Sequence, residues 1–128
     1  MNDDLRTPLA RARGLGSAKE GVHHWWAQRL TAIALIPLVV WFAISLIMLS
    51  GADYAVVRAW LGSPLVMVLM ILTIGIGLHH GQLGLQVVIE DYVHTRGLEL
   101  SAQIAIKFVC FLGAAASVLA VIRIALGS

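Results

Sequence analysis

Three stretches of the chain are almost free of charge: Leu30 to about Leu49, Pro64 to about Ile89, and Ala102 to Leu126. Apolar residues fill all sides of these runs instead of recurring on one face. That is the pattern of helices surrounded by lipid, not of helices lying on a soluble core. At 1.5 Å per residue, the first run covers about 30 Å, the thickness of a bilayer's hydrocarbon layer. The second is longer, which implies tilt or an end that projects from the bilayer. Ser50-Gly51 closes the first run, and Tyr54, Val57 and Leu61 then fall at a spacing that suits a short interfacial helix. Ser63-Pro64 reads as an N-cap followed by proline at the first helical position. Glu90, Asp91, Tyr92, His94, Thr95, Arg96, Gly97 and Glu99 form a polar stretch read as a loop, with Ser101 capping the third run. Lys107 is close enough to the start of that run to snorkel, and Gly113 to Ser117 supply small residues for close helix packing. The pattern predicts an all-α integral membrane protein with three transmembrane helices. They occupy 30–49, 64–89 and 102–126, joined by segments 50–63 and 90–101 and preceded by a polar segment, 1–29.

Composition agrees and narrows the class. The 128 residues are 59% hydrophobic and 12% charged, and mean hydropathy is +0.88. A soluble domain would carry roughly twice that charged fraction, and no length remains for a second, soluble domain. The basic residues gather in the N-terminal segment and not on one helix face, so no nucleic-acid footprint is visible. Cys110, alone in an apolar run, reads as a small buried hydrophobe. The first apolar run lies too far from Met1 for a cleaved signal, and Asp3, Asp4 and Glu20 argue against a transit peptide.

Charge sets the expected orientation. Arg6, Arg11, Arg13, Lys19 and Arg29 flank the first run, and Arg96 follows the second; the opposite side has Arg58 and Arg123. The positive-inside rule therefore puts the N-terminus in the cytoplasm, with the 90–101 segment on the same side. Arg29 and the Asp91-Tyr92 pair then meet at one membrane face. Trp25 and Trp26 suit the headgroup level there. Arg29 either snorkels or serves that face.

The chemistry concentrates in the second run, where His79 and His80 sit within apolar sequence. An imidazole in hydrocarbon is costly and implies an assigned partner. Helical spacing puts Thr73, Gly77, His80, Gly84, Val87 and Asp91 on one stripe, and Ile76, His79, Leu83, Gln86 and Glu90 on another. His80 lies about 16 Å along the helix from Asp91. Its flanking glycines either leave room for a flat macrocycle or let another helix pack closely. Axial ligation of a haem iron, a structural hydrogen bond and a proton relay all remain open for the pair. His79 is placed to hydrogen-bond Gln86 or a partner helix. A haem would need a second ligand from another subunit, since His23, His24 and His94 are interfacial. Asp91, Tyr92 and Arg29 would suit a quinone head group, with the phenol donating to a carbonyl oxygen and the acid passing protons.

These residues resemble a known family, the hydrophobic membrane-anchor subunits of succinate dehydrogenase (respiratory complex II). The pattern His80-x3-Gly84-x6-Asp91-Tyr92 is similar to that family's signature on its second span. His24-Trp25-Trp26-Ala27-Gln28-Arg29-Leu30-Thr31-Ala32 is similar to its entry into the first span, particularly in bacterial forms related to mitochondria. The resemblance implies a non-catalytic anchor in a bacterial inner membrane that passes electrons from succinate oxidation to ubiquinone. It implies His80 as an axial ligand of haem b, shared with a second cytochrome b-type anchor subunit. It also implies Tyr92 and Asp91 at the ubiquinone site, and Arg29 near the haem propionates or the quinone mouth. An iron-sulfur subunit and a flavoprotein subunit would dock on it. The competing reading is a small proton-conducting or transport subunit using His79, His80 and Glu90. Pro64 to Gly77 offers only Thr73 toward a continuous polar path.

Overall fold

The computed structural model describes the chain from Gly16 to Gly127, with side chains from Gly21 onward, together with Leu9. Arg6, Arg11, Arg13 and Lys19 of the orientation argument lie outside the described side chains. Four helices follow in order: α1 (Gly16–Met48), α2 (Tyr54–Leu61), α3 (Pro64–Tyr92) and α4 (Arg96–Leu126). Three of them, α1, α3 and α4, are long and apolar enough to cross a membrane. The all-α, three-helix expectation holds among the described residues.

The helices outrun their apolar stretches. α1 is already helical at Gly16, where the sequence reads as irregular to about residue 22. α3 runs through Glu90 and Asp91 to Tyr92, and α4 begins at Arg96, so only residues 93–95 connect them. Thr95, not Ser101, is the N-cap of α4. Ser101 lies inside the helix, and its hydroxyl donates to the Gly97 carbonyl at 2.8 Å. Hydropathy marks where lipid can lie, whereas backbone hydrogen bonds continue into polar residues until something stops them. Ser63 does precede α3 as its N-cap with Pro64 at the first turn, although its side chain makes no capping bond. In α2 the cap is made by Asp53, whose Oδ1 accepts from the Val56 N–H at 3.0 Å. Pro37, inside α1, lacks the N–H that would reach Ile33, a loss membrane helices tolerate.

α3 is the middle of the arrangement. It packs against α1 on one side and α4 on the other, while α1 and α4 do not pack against each other. Both neighbours run antiparallel to it. Leu35 meets Gly77, Thr31 meets His80 and Gln28 meets Gly84, so α1 numbers rise as α3 numbers fall. Leu78 meets Gly113 on the α4 side, where that small-residue run begins. α2 closes the far end against α3 and α4, and its Trp60 stacks on Trp41 of α1 at 5.8 Å. Gly127 caps α4 in the left-handed conformation, φ 77°, with the Arg58 guanidinium directly against it. Little is sealed from the surroundings: Leu38, Ser45, Leu61, Leu83, Ile89 and Val121 are the buried residues among those described. In the most apolar stretch of α1, α3 and α4, only 11%, 0% and 6% of residues are buried. Lipid or other chains must cover the rest.

Candidate functional site

The α1–α3 seam is where the sequence's histidine meets a partner. On α1, helical spacing puts His24, Gln28, Thr31, Leu35 and Leu38 on the stripe turned toward α3. On α3 the matching stripe is Gly77, His80 and Gly84. A Cβ at Gly77 would lie 3.9 Å from the Leu35 side chain, and one at Gly84 would lie 3.9 Å from Gln28 Nε2. Gly77 and Gly84 thus face α1 at ordinary contact distance, as close helix packing asks.

His80 is half-buried in this seam. Its Nδ1 lies 2.9 Å from Thr31 Oγ1. Thr31 Oγ1 is itself 2.6 Å from the Ala27 carbonyl and 3.1 Å from that of Gln28. The other ring nitrogen, Nε2, has no hydrogen-bond partner among the described residues, and it is not among the polar atoms sealed inside the molecule. An imidazole held at one nitrogen and open at the other fits axial ligation of an iron. Thr31 was not singled out by sequence reasoning as a partner for His80. Its signal was a hydroxyl within an apolar run, but the depth at which two antiparallel helices pair is not written in either one.

His79 is exposed on another side of α3. The expected contact to Gln86 is not made; Gln86 Nε2 donates instead to Glu90 Oε1 at 3.1 Å. His79, His80 and Glu90 are not joined to one another by hydrogen bonds among the described residues. Farther along α1, His24 Nε2 and Gln28 Oε1 are sealed from solvent without a described partner. Such unfilled polar valences in a seam call for an occupant or an ordered water.

The polar end of α3 is open. Asp91 is exposed, and Tyr92 is 79% exposed at the last turn of the helix. Arg29 is also exposed, with its guanidinium carbon 5.4 Å above the Trp25 ring, a cation–π contact. Trp25 packs edge-on against Trp26 at 5.0 Å. Because Gln28 pairs with Gly84, Arg29 lies about 12 Å of helix rise from the level of Asp91. It is nearer in depth to His80. The contacts within this chain therefore unite His80 with Thr31, and Arg29 with Trp25, but do not unite Arg29 with Asp91 or Tyr92.

Three long apolar helices, one half-buried imidazole and an exposed acid–phenol pair define a multi-pass helical membrane protein whose polar groups stay open to other chains among the described residues. Residues 3–120 match the family model of the succinate dehydrogenase/fumarate reductase transmembrane subunit, and the chain belongs to that family. It is similar to the succinate dehydrogenase hydrophobic membrane anchor subunit of Rickettsia bellii, 34% identical over 94% of this chain and 97% of that one. The protein of the same name from Rickettsia conorii is 34% identical over 91% of this chain and 94% of its own. That of Paracoccus denitrificans is 35% identical over 67% of each. No solved structure matches the chain. Three long apolar helices with little buried surface are what a membrane anchor requires.

Proposed function

We propose that the chain anchors a succinate dehydrogenase complex in the bacterial inner membrane, helps bind haem b and forms part of a ubiquinone-reducing site. The observation that carries this reading is His80, half-buried in the α1–α3 seam with no partner for Nε2 among the described residues, on the same helix as Asp91-Tyr92. His80 would supply one axial ligand. A histidine of a companion cytochrome b-type anchor subunit would supply the other, because His23, His24 and His94 lie outside the apolar runs and His79 is exposed on another side of α3. Haem, when bound, supplies a one-electron carrier inside the hydrocarbon layer. Arg29 stands near that depth, as a counter-charge for propionates requires, and leans on Trp25 at the membrane edge.

Tyr92 and Asp91 project beyond the apolar run. There the phenol can donate a hydrogen bond to a quinone carbonyl and the carboxylate can hold a proton for its reduction. Walls for the quinone would come from partner subunits, as would the iron-sulfur and flavin centres that deliver electrons from succinate. The N-terminus and the 93–95 connection would face the cytoplasm.

His80→Ala in the purified complex is expected to abolish or strongly alter the absorption band of reduced haem b. A spectrum identical to the parent's would refute the ligand assignment.

A further inference from the structure

We propose that Thr31 is a positioning residue for His80: its hydroxyl oxygen accepts the Nδ1 proton and fixes the imidazole as the tautomer whose Nε2 lone pair is free. The proposal rests on the haem reading above and extends it to a residue on the neighbouring helix.

Hydrogen supply decides the direction of each contact. Thr31 Oγ1 lies 2.6 Å from the Ala27 carbonyl oxygen. Two oxygens approach that closely only with a hydrogen between them, and a carbonyl has none to give. The hydroxyl's single hydrogen is therefore directed at Ala27, with the Gln28 carbonyl at 3.1 Å a weaker second acceptor. The 2.9 Å contact between Thr31 Oγ1 and His80 Nδ1 must then draw its hydrogen from the ring. In a neutral imidazole only one nitrogen carries hydrogen, so Nε2 holds the lone pair. The chain of donors runs from His80 Nδ1–H to Thr31 O–H to the Ala27 carbonyl.

Two features of threonine suit it to this place. Its branched Cβ limits χ1 in a helix, and bonding back to the carbonyl four residues earlier selects among the remaining rotamers. The acceptor is thus locked to the α1 backbone and not carried on a mobile side chain. Thr31 also discriminates within the histidine pair: His79, one residue away, is exposed and has no equivalent acceptor among the described residues. An acceptor on Nδ1–H also strengthens electron donation from the other ring nitrogen, the effect that outer hydrogen bonds exert on metal-ligating histidines.

The test compares Thr31→Val, which keeps the branched shape without the hydroxyl, with Thr31→Ser, which keeps the hydroxyl, both in the purified complex. The readouts are haem b retained per complex and its midpoint potential. Thr31→Val is expected to weaken haem retention about 10- to 100-fold. It should also raise the potential, because a ligand that donates less electron density favours the ferric state less; a tenfold change in that preference corresponds to about 59 mV for one electron. Thr31→Ser should return both toward parent values. Parental retention and potential in Thr31→Val would overturn the proposal, as would equal damage in the valine and serine variants, which would make shape and not the hydroxyl responsible. If Thr31→Val yields no complex, Thr31→Ala replaces it with the same two outcomes. His80→Ala separates this failure from that of the underlying reading. An intact haem spectrum in His80→Ala removes the ligand itself, whereas a lost spectrum there combined with a parental Thr31→Val removes only the role of Thr31.

Discussion

At the scale of single residues, what divides His80 from His79 is not burial alone but the company each keeps. One ring is held across a seam by a hydroxyl, and the other faces outward. Tyr92 has the opposite situation, since almost all of its surface is free. Its packing contribution to the chain is accordingly small, and substitutions there report on bound partners more than on the fold. Tyr92→Phe is therefore expected to leave assembly unchanged and to slow succinate-dependent ubiquinone reduction roughly 2- to 12-fold, the worth of one neutral hydrogen bond. Succinate oxidation by an artificial acceptor should be unaffected; a parallel fall in both rates would show that Tyr92 has no quinone role. The residue types at the candidate site were legible in the sequence because each violates its surroundings: imidazoles within hydrocarbon, and an acid beside a phenol where an apolar run ends. Thr31 violates nothing conspicuous. A hydroxyl can satisfy itself on its own helix, so its second contact becomes visible only when α3 lies beside it.

Between elements, the α1–α3 seam sets Gly77 against Leu35 and Gly84 against Gln28. Both hypothetical methyls would fall at 3.9 Å from their neighbours, an ordinary contact distance. Gly84→Ala should consequently be close to neutral. Gly84→Leu must displace Gln28 and push α1 outward, at a cost of about 1–3 kcal/mol as overpacking. The measurement is the thermal denaturation midpoint of the purified complex. A leucine variant as stable as the alanine one would mean that the seam is looser than these distances imply. The number and apolar character of the helices were readable from the sequence, because lipid demands long uncharged runs. Their ends were not. Glu90 to Tyr92 and Arg96 to Ser101 are polar without being helix breakers, so a reading keyed to hydropathy stops before the backbone does. The exchange of Ser101 for Thr95 as the N-cap of α4 follows from the same displacement.

For the whole molecule, an α3 flanked by α1 and α4 leaves two broad faces for other chains or lipid, as a subunit needs and a self-sufficient bundle avoids. The proposed orientation has a direct check. In a Cys110→Ala background, Ser50→Cys should react with a membrane-impermeant thiol reagent added to intact cells whose outer membrane has been opened. Thr95→Cys should react only once the inner membrane is permeabilised. The reverse labelling would invert the topology. Both positions are exposed and neither side chain makes a capping bond. The order of the helices along the chain also has a consequence for biogenesis. α1 and α3 are both complete at Tyr92, before the 31 residues of α4 are made, and at about 5–20 residues per second that leaves roughly 2–6 s. The two helices that meet at Thr31 and His80 are therefore synthesised, and leave the ribosome, ahead of the last helix.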